Sequence, residues 1–165
     1  MYTNSENTET NRPVSSNFKL MDGIPGWGQG ILIVTATLQD DCIVFSKTVS
    51  PKSPTVSLKL EQITETKMYT EREIIEKSKS VVGRAAVGSL FGPLGAIIGA
   101  VSGTGKKKRV LTDTYYTISY ISSSNAPAMI TLKCGVMGCH EYKFNSALSA
   151  ALKKYNPPCD ENAFL

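Results

Sequence analysis

Residues able to do chemistry are few in this chain, and their spacing argues against most of what they could do. His140 is the only histidine, so a Ser-His-Asp or Cys-His nucleophilic site would have to be built on it. Its neighbour is Cys139, and on a strand two neighbours point to opposite faces; an inert strand histidine is the expectation. Cys134, Cys139, His140 and Cys159 have the composition of a Cys₃His zinc site. The spacing between Cys134 and Cys139 suits a hairpin more than a zinc knuckle, however, and no second Cys-x-x-Cys accompanies it, so no metal is expected. Gly103-Thr104-Gly105-Lys106 suggests a phosphate loop. The Walker pattern needs a glycine five positions before the second glycine and Ser or Thr after the lysine, and Ala100 and Lys107 occupy those places. The acidic residues are scattered, without a paired-carboxylate spacing. The sequence therefore offers no catalytic residues and implies no cofactor and no small-molecule substrate. Trp27, set among glycines, reads equally as a core plug and as an exposed partner anchor.

The charge pattern narrows the partners. The net charge of +4 has one source: Lys106, Lys107, Lys108 and Arg109, outside which acidic and basic residues balance. A general nucleic-acid binder spreads its basic residues over a face or groove, so nucleic acid is not the expected partner. The cluster fits a local contact, such as an anionic membrane surface. The N-terminus, MYTNSENTETNRPVSSN, lacks the basic and apolar regions of a signal peptide. The expectation is a cytoplasmic protein whose cysteines, Cys42 among them, are thiols.

The most informative stretch is VVGRAAVGSLFGPLGAIIGAVSG, 81–103. Gly88 and Gly92 are four apart, as are Gly95, Gly99 and Gly103, with Ala96 and Ala100 flanking the second row. Residues four apart share a helix face, so each row is a strip without side-chain bulk along which two helices can approach closely. Each glycine costs roughly 1 kcal/mol against alanine inside a helix, a cost that close packing would offset. Pro93 suits the first turn of a helix. The segment reads as two short helices, about 80–90 and 93–102, joined at Phe91-Gly92. Three uses compete: a hairpin packed on its own domain, insertion into a membrane, and assembly between chains. The uncharged run from Ala85 to Val101 would reach about 25 Å as one helix, short of the ~30 Å hydrocarbon core, so a shallow insertion is conceivable and a clean span is not.

The flanking elements read as β-structure. Residues 1 to about 20 are polar and are expected as a disordered tail, and 157–165 as a second tail. Ile31–Leu38 and Cys42–Lys47 form a strand-turn-strand about Gln39-Asp40-Asp41. Val56, Leu58 and Leu60 alternate with Ser57 and Lys59, which gives a half-buried strand, and a slip of phase near Ile63 suggests a bulge or bend. Thr70-Glu71-Arg72-Glu73 fits a capping box that opens a helix, with Glu73 and Lys77 in favourable order. Tyr116, Ile118 and Tyr120, then Ile130, Leu132 and Cys134, give two more strands around a loop at Ser122–Pro127. A last strand is expected near His140–Phe144, followed by a helix from Asn145 to Tyr155 with Phe144, Leu148, Leu152 and Tyr155 on one face. The total is six or seven antiparallel strands, an inserted helical segment and a capping helix.

The order of these features resembles a bacterial pleckstrin-homology-like (PH-like) family of Gram-positive bacteria and their prophages and mobile elements. The resemblance lies in Gly23-Ile24-Pro25, Thr35–Phe45 with Asp40-Asp41, Ser80–Gly103, Tyr115–Tyr120 and the Phe144 helix, and it covers about 20–155. It implies a mainly β (α+β) fold: a PH-like split β-barrel of about seven antiparallel strands, with a C-terminal capping helix and an inserted glycine-rich αα-hairpin, the domain running over 21–156. It implies no catalytic residues. Members of the wider superfamily bind lipids, peptides or proteins through their loops, and this chain lacks the basic loop pair of inositide binders. The expected role is a non-enzymatic module for protein–protein interaction or self-assembly through the hairpin and barrel surface, which includes a phage or mobile-element effector acting on a host protein. The alternative is a peripheral membrane module that inserts the hairpin beside Lys106–Arg109.

Overall fold

Period-two burial organises the chain into seven strands. A computed structural model describes residues 13–27, 32–50, 52–74, 113–136 and 140–155. The strands are β1 (Ser15–Asp22), β2 (Leu32–Leu38), β3 (Cys42–Lys47), β4 (Val56–Lys59), β5 (Ile63–Thr70), β6 (Thr114–Ile121) and β7 (Pro127–Lys133), followed by a C-terminal helix, Glu141–Tyr155. They form one sheet in the order β4-β3-β2-β1-β7-β6-β5, antiparallel at every ladder. Pairing of β1 with β7, Leu20 opposite Leu132, joins the first strand to the last and leaves β4 and β5 as edges.

Inward residues from all seven strands meet in one core, so the sheet is rolled rather than flat. Phe18, Val34, Phe45, Leu58, Ile63, Ile118 and Leu132 are buried there, each worth roughly 1.5–3 kcal/mol of apolar burial. The C-terminal helix adds Phe144 and Leu148, both fully buried. Phe144 meets Phe18 edge-on at 5.7 Å and Tyr116 at 6.3 Å, while Phe18 and Tyr116 stack at 6.0 Å. This aromatic triangle pins the helix across the roll.

Four sequence expectations are corrected. The polar tail does not extend to residue 20: Ser16, Phe18 and Leu20 point inward from β1 and are buried, which also moves the start of the domain ahead of residue 21. The strand expected to run through Leu60 stops at Lys59 and gives way to a 3₁₀ turn at Leu60–Gln62, while the bulge or bend expected near Ile63 is found, as a register shift between Ile63 and Glu65. His140–Phe144 is not a strand; the helix already begins at Glu141, and His140 precedes it with its side chain exposed. On that helix Phe144 and Leu148 are buried and Leu152 partly so, whereas Tyr155 is exposed and its hydroxyl donates to the Asp40 carbonyl at 3.4 Å. The Thr70 capping box forms as expected: Glu73 Oε2 accepts from the Thr70 N–H at 2.7 Å, and the Glu73 N–H donates to Thr70 Oγ1 at 3.3 Å. Residues 71–74 are helical. The hairpin expected at about 80–104, residues 1–12 and the expected C-terminal tail lie outside the described residues.

Candidate interaction surfaces

The glycine-rich segment enters and leaves the sheet through a paired neck. Thr70 lies opposite Thr114 at the end of the β5–β6 ladder, and one residue further the Glu71 N–H donates to the Asp113 carbonyl at 2.9 Å. Asp113 is held in turn by Lys133 of β7, whose Nζ sits 2.7 Å from its carboxylate with both side chains largely shielded. Glu71 and Ile74 are buried beside this neck. Glu71 and Asp113, on either side of the segment, are thus held next to each other at the end of the β5–β6 ladder.

Among the described residues, concavities lie at both ends of the roll. At the end bearing the β1–β2 and β6–β7 connections, a cleft of about 260 Å³ is lined by Ile24, Pro25, Leu58, Gln62 and Tyr120 among others, and its lining carries no charged side chain. Gly23 makes this end possible: its φ is +102°, and a Cβ there would lie 2.1 Å from the Met129 carbonyl oxygen. Tyr120 donates to the Gly23 carbonyl at 3.5 Å. The β6–β7 turn itself is closed by Asn125, whose φ of 59° asparagine tolerates better than most residues. At the opposite end, a groove of about 580 Å³ runs between Val14, Leu38, Asp40 and Asp41 on one side and Ala151 and Lys154 of the helix on the other.

Trp27 stands between the two placements left open by the sequence, neither a fully buried plug nor fully exposed. Its ring packs against the core and stays partly exposed, while Lys47 Nζ lies 5.3 Å from the ring centroid in a cation–π arrangement. The other sequence-singled positions, Gly88, Gly92, Gly95, Ala96, Gly99, Ala100, Gly103 and Lys106–Arg109, lie outside the described residues, as do Cys139 and Cys159. Cys134 is buried. Burial, then a hydrogen bond from the thiol to the neighbouring Asp41 carboxylate, pushes the Cys42 thiol up, away from the thiolate a nucleophile needs. His140 serves through its backbone: its N–H donates to Ser16 Oγ at 2.8 Å, and its carbonyl accepts from the Phe144 N–H at 2.9 Å. Among the described residues no helix is long and apolar enough to cross a membrane. Sequence reasoning missed the Asp113–Lys133 anchor, whose only local sign is an acidic residue at a strand start.

A rolled seven-stranded antiparallel sheet covered by a C-terminal helix defines a PH-like module, a class of scaffold that generally binds proteins or lipids. A sequence model of the glycine zipper containing PH domain matches residues 27–131, a span that includes both glycine rows, and the chain belongs to that family. No curated protein matches it.

Proposed function

We propose that the chain is a non-enzymatic binding module that presents its glycine-rich segment, from a rigid sheet, for protein–protein interaction or self-assembly. The observation that carries this reading is the neck: Glu71 bonded to Asp113, and Asp113 to Lys133, hold the ends of a segment whose glycines repeat every four residues. Small-residue strips of that kind favour close helix–helix approach, and a fixed pair of ends limits the orientations in which they meet a partner. The glycine strips at Gly88/Gly92 and Gly95/Gly99/Gly103 form the interface in this reading, and the protein works in the cytoplasm.

Light-scattering mass after size exclusion, without detergent, tests it on the wild type and Gly99→Leu. A defined oligomer that the leucine abolishes is the expected result. Salt-sensitive binding to anionic vesicles that falls when Lys106–Arg109 are neutralised, with no protein assembly, would replace this reading with the membrane one.

A further inference from the structure

The far edge of the sheet carries a surface built from other residues than the glycine rows. β5 is the terminal strand, and the neck fixes the phase of its hydrogen bonding. Because the Glu71 N–H bonds to Asp113 directly opposite, residues alternating from it, Tyr69 and Lys67, turn their backbone groups inward to Tyr115 and Thr117 of β6. The intervening Met68 and Thr66 then direct their N–H and C=O groups away from β6. Thr70 has the same phase, but its N–H is taken by Glu73. Among the described residues no strand pairs with this edge.

Side chains alternate as well. Met68 packs against the core, while Glu65 and Lys67 stand on the outer face, each about half exposed, paired with each other along the strand. An antiparallel copy of β5 can dock on this edge only in registers that place outward-bonding residues opposite one another, and these differ in charge. Centred on Lys67, the register sets two lysines face to face. Centred on Met68, it sets Glu65 against Glu71 and draws on Thr70, whose N–H is already used. Centred on Thr66, it sets Glu65 opposite the partner's Lys67 and Lys67 opposite the partner's Glu65, in the close non-hydrogen-bonded positions where side chains interact most strongly. Each lysine then lies between two carboxylates. We propose that β5 is an edge-pairing surface for a second copy of this chain, in a two-fold antiparallel register centred on Thr66. The contact is small, so the dimer it makes is weak and concentration-dependent.

Sedimentation equilibrium at low salt, where exposed charges are least screened, provides the first test. Glu65→Lys and Lys67→Glu each place like charges opposite in both pairs and are expected to raise the dimer dissociation constant about tenfold, while the double exchange restores it. Thr66→Pro removes an outward backbone donor and no inward one, and is expected to abolish the dimer without loss of the β5–β6 ladder, as read by circular dichroism, whereas Thr66→Ala, which removes the side-chain hydroxyl alone, keeps the dimer. Proximity gives a second test independent of the glycine rows. Oxidation of a mixture of Glu65→Cys and Lys67→Cys chains should yield the mixed 65–67 disulfide in excess over either symmetric product, as mapped by mass spectrometry. The expected order holds whether or not Gly99→Leu changes the mass, so failure here and failure of the glycine reading are separable. Charge reversals without effect, or mixed and symmetric disulfides in statistical proportion, would overturn the proposal.

Discussion

Tyr116 is a polar group placed where the fold gives it little in return. Its residue is 1% exposed, and its hydroxyl makes no hydrogen bond among the described residues. Burial pushes its pKa up to about 12, with Thr66 nearby pulling weakly the other way. Leaving a buried hydroxyl unpaired costs about 1–3 kcal/mol, so Tyr116→Phe should be neutral or stabilising by up to about 1 kcal/mol in urea titrations near pH 7. The raised pKa also sets an alkaline limit. The folded state holds the phenol proton that the unfolded chain releases near pH 10, so this stability is complete below pH 10. It is lost as pH rises through about 12, by roughly 2–3 kcal/mol. Unfolding midpoints measured from pH 8 to 12 should show this slope in the wild type and a shallower one in the phenylalanine variant. Gly23 makes the opposite case. With a φ of +102° and the Met129 carbonyl where a Cβ would sit, Gly23→Ala should cost about 2 kcal/mol or more in the same titration.

At the scale of elements, the sequence revealed what depends on near neighbours and concealed what depends on distant ones. The β2–β3 hairpin, the alternation of β6 and β7 and the Thr70 cap all rest on residues within a few positions, and all were legible. The helix start was not, because no Ser, Thr, Asp or Asn stands at position 140 to announce it. The hydroxyl that receives the His140 N–H comes from Ser16, 124 positions away. The same serine hid β1, since SSNFKLMD reads as the end of a polar tail until Ser16 is seen buried beside Phe18 and Leu20. Ser16→Ala should therefore destabilise the protein by about 1 kcal/mol, with the loss appearing as faster amide exchange in the first helical turn. Phe144→Ala, which removes a corner of the aromatic triangle, should cost about 3–5 kcal/mol and be measurable by thermal melting. The glycine rows were legible as a pattern of fours; the edge at β5 was not, because free ladder groups are a property of sheet order.

For the whole molecule, the decisive feature is where the insertion sits. The β5–β6 ladder ends at Thr70 opposite Thr114, with Glu71 bonded to Asp113 and one helical turn, 71–74, leading on from it, and the cost of loop closure grows only logarithmically with length. Replacing 75–112 by a short Gly-Ser turn should therefore leave the roll folded, with a stability gain of no more than about 2 kcal/mol from the shorter loop, as measured by urea unfolding. The same variant should lose any association that depends on the glycine rows and keep the one that depends on Glu65 and Lys67. Separate loss of the two in light scattering and sedimentation would show two independent surfaces on one scaffold.

The neck also bears on how such a chain can change over generations. Because Glu71, Asp113 and Lys133 tie the two strand ends together with bonds of their own, a change of length or sequence within 75–112 need not disturb the register of β5 on β6. A sheet whose strand ends are fastened in this way can exchange the segment between them over generations and keep the same two strands side by side.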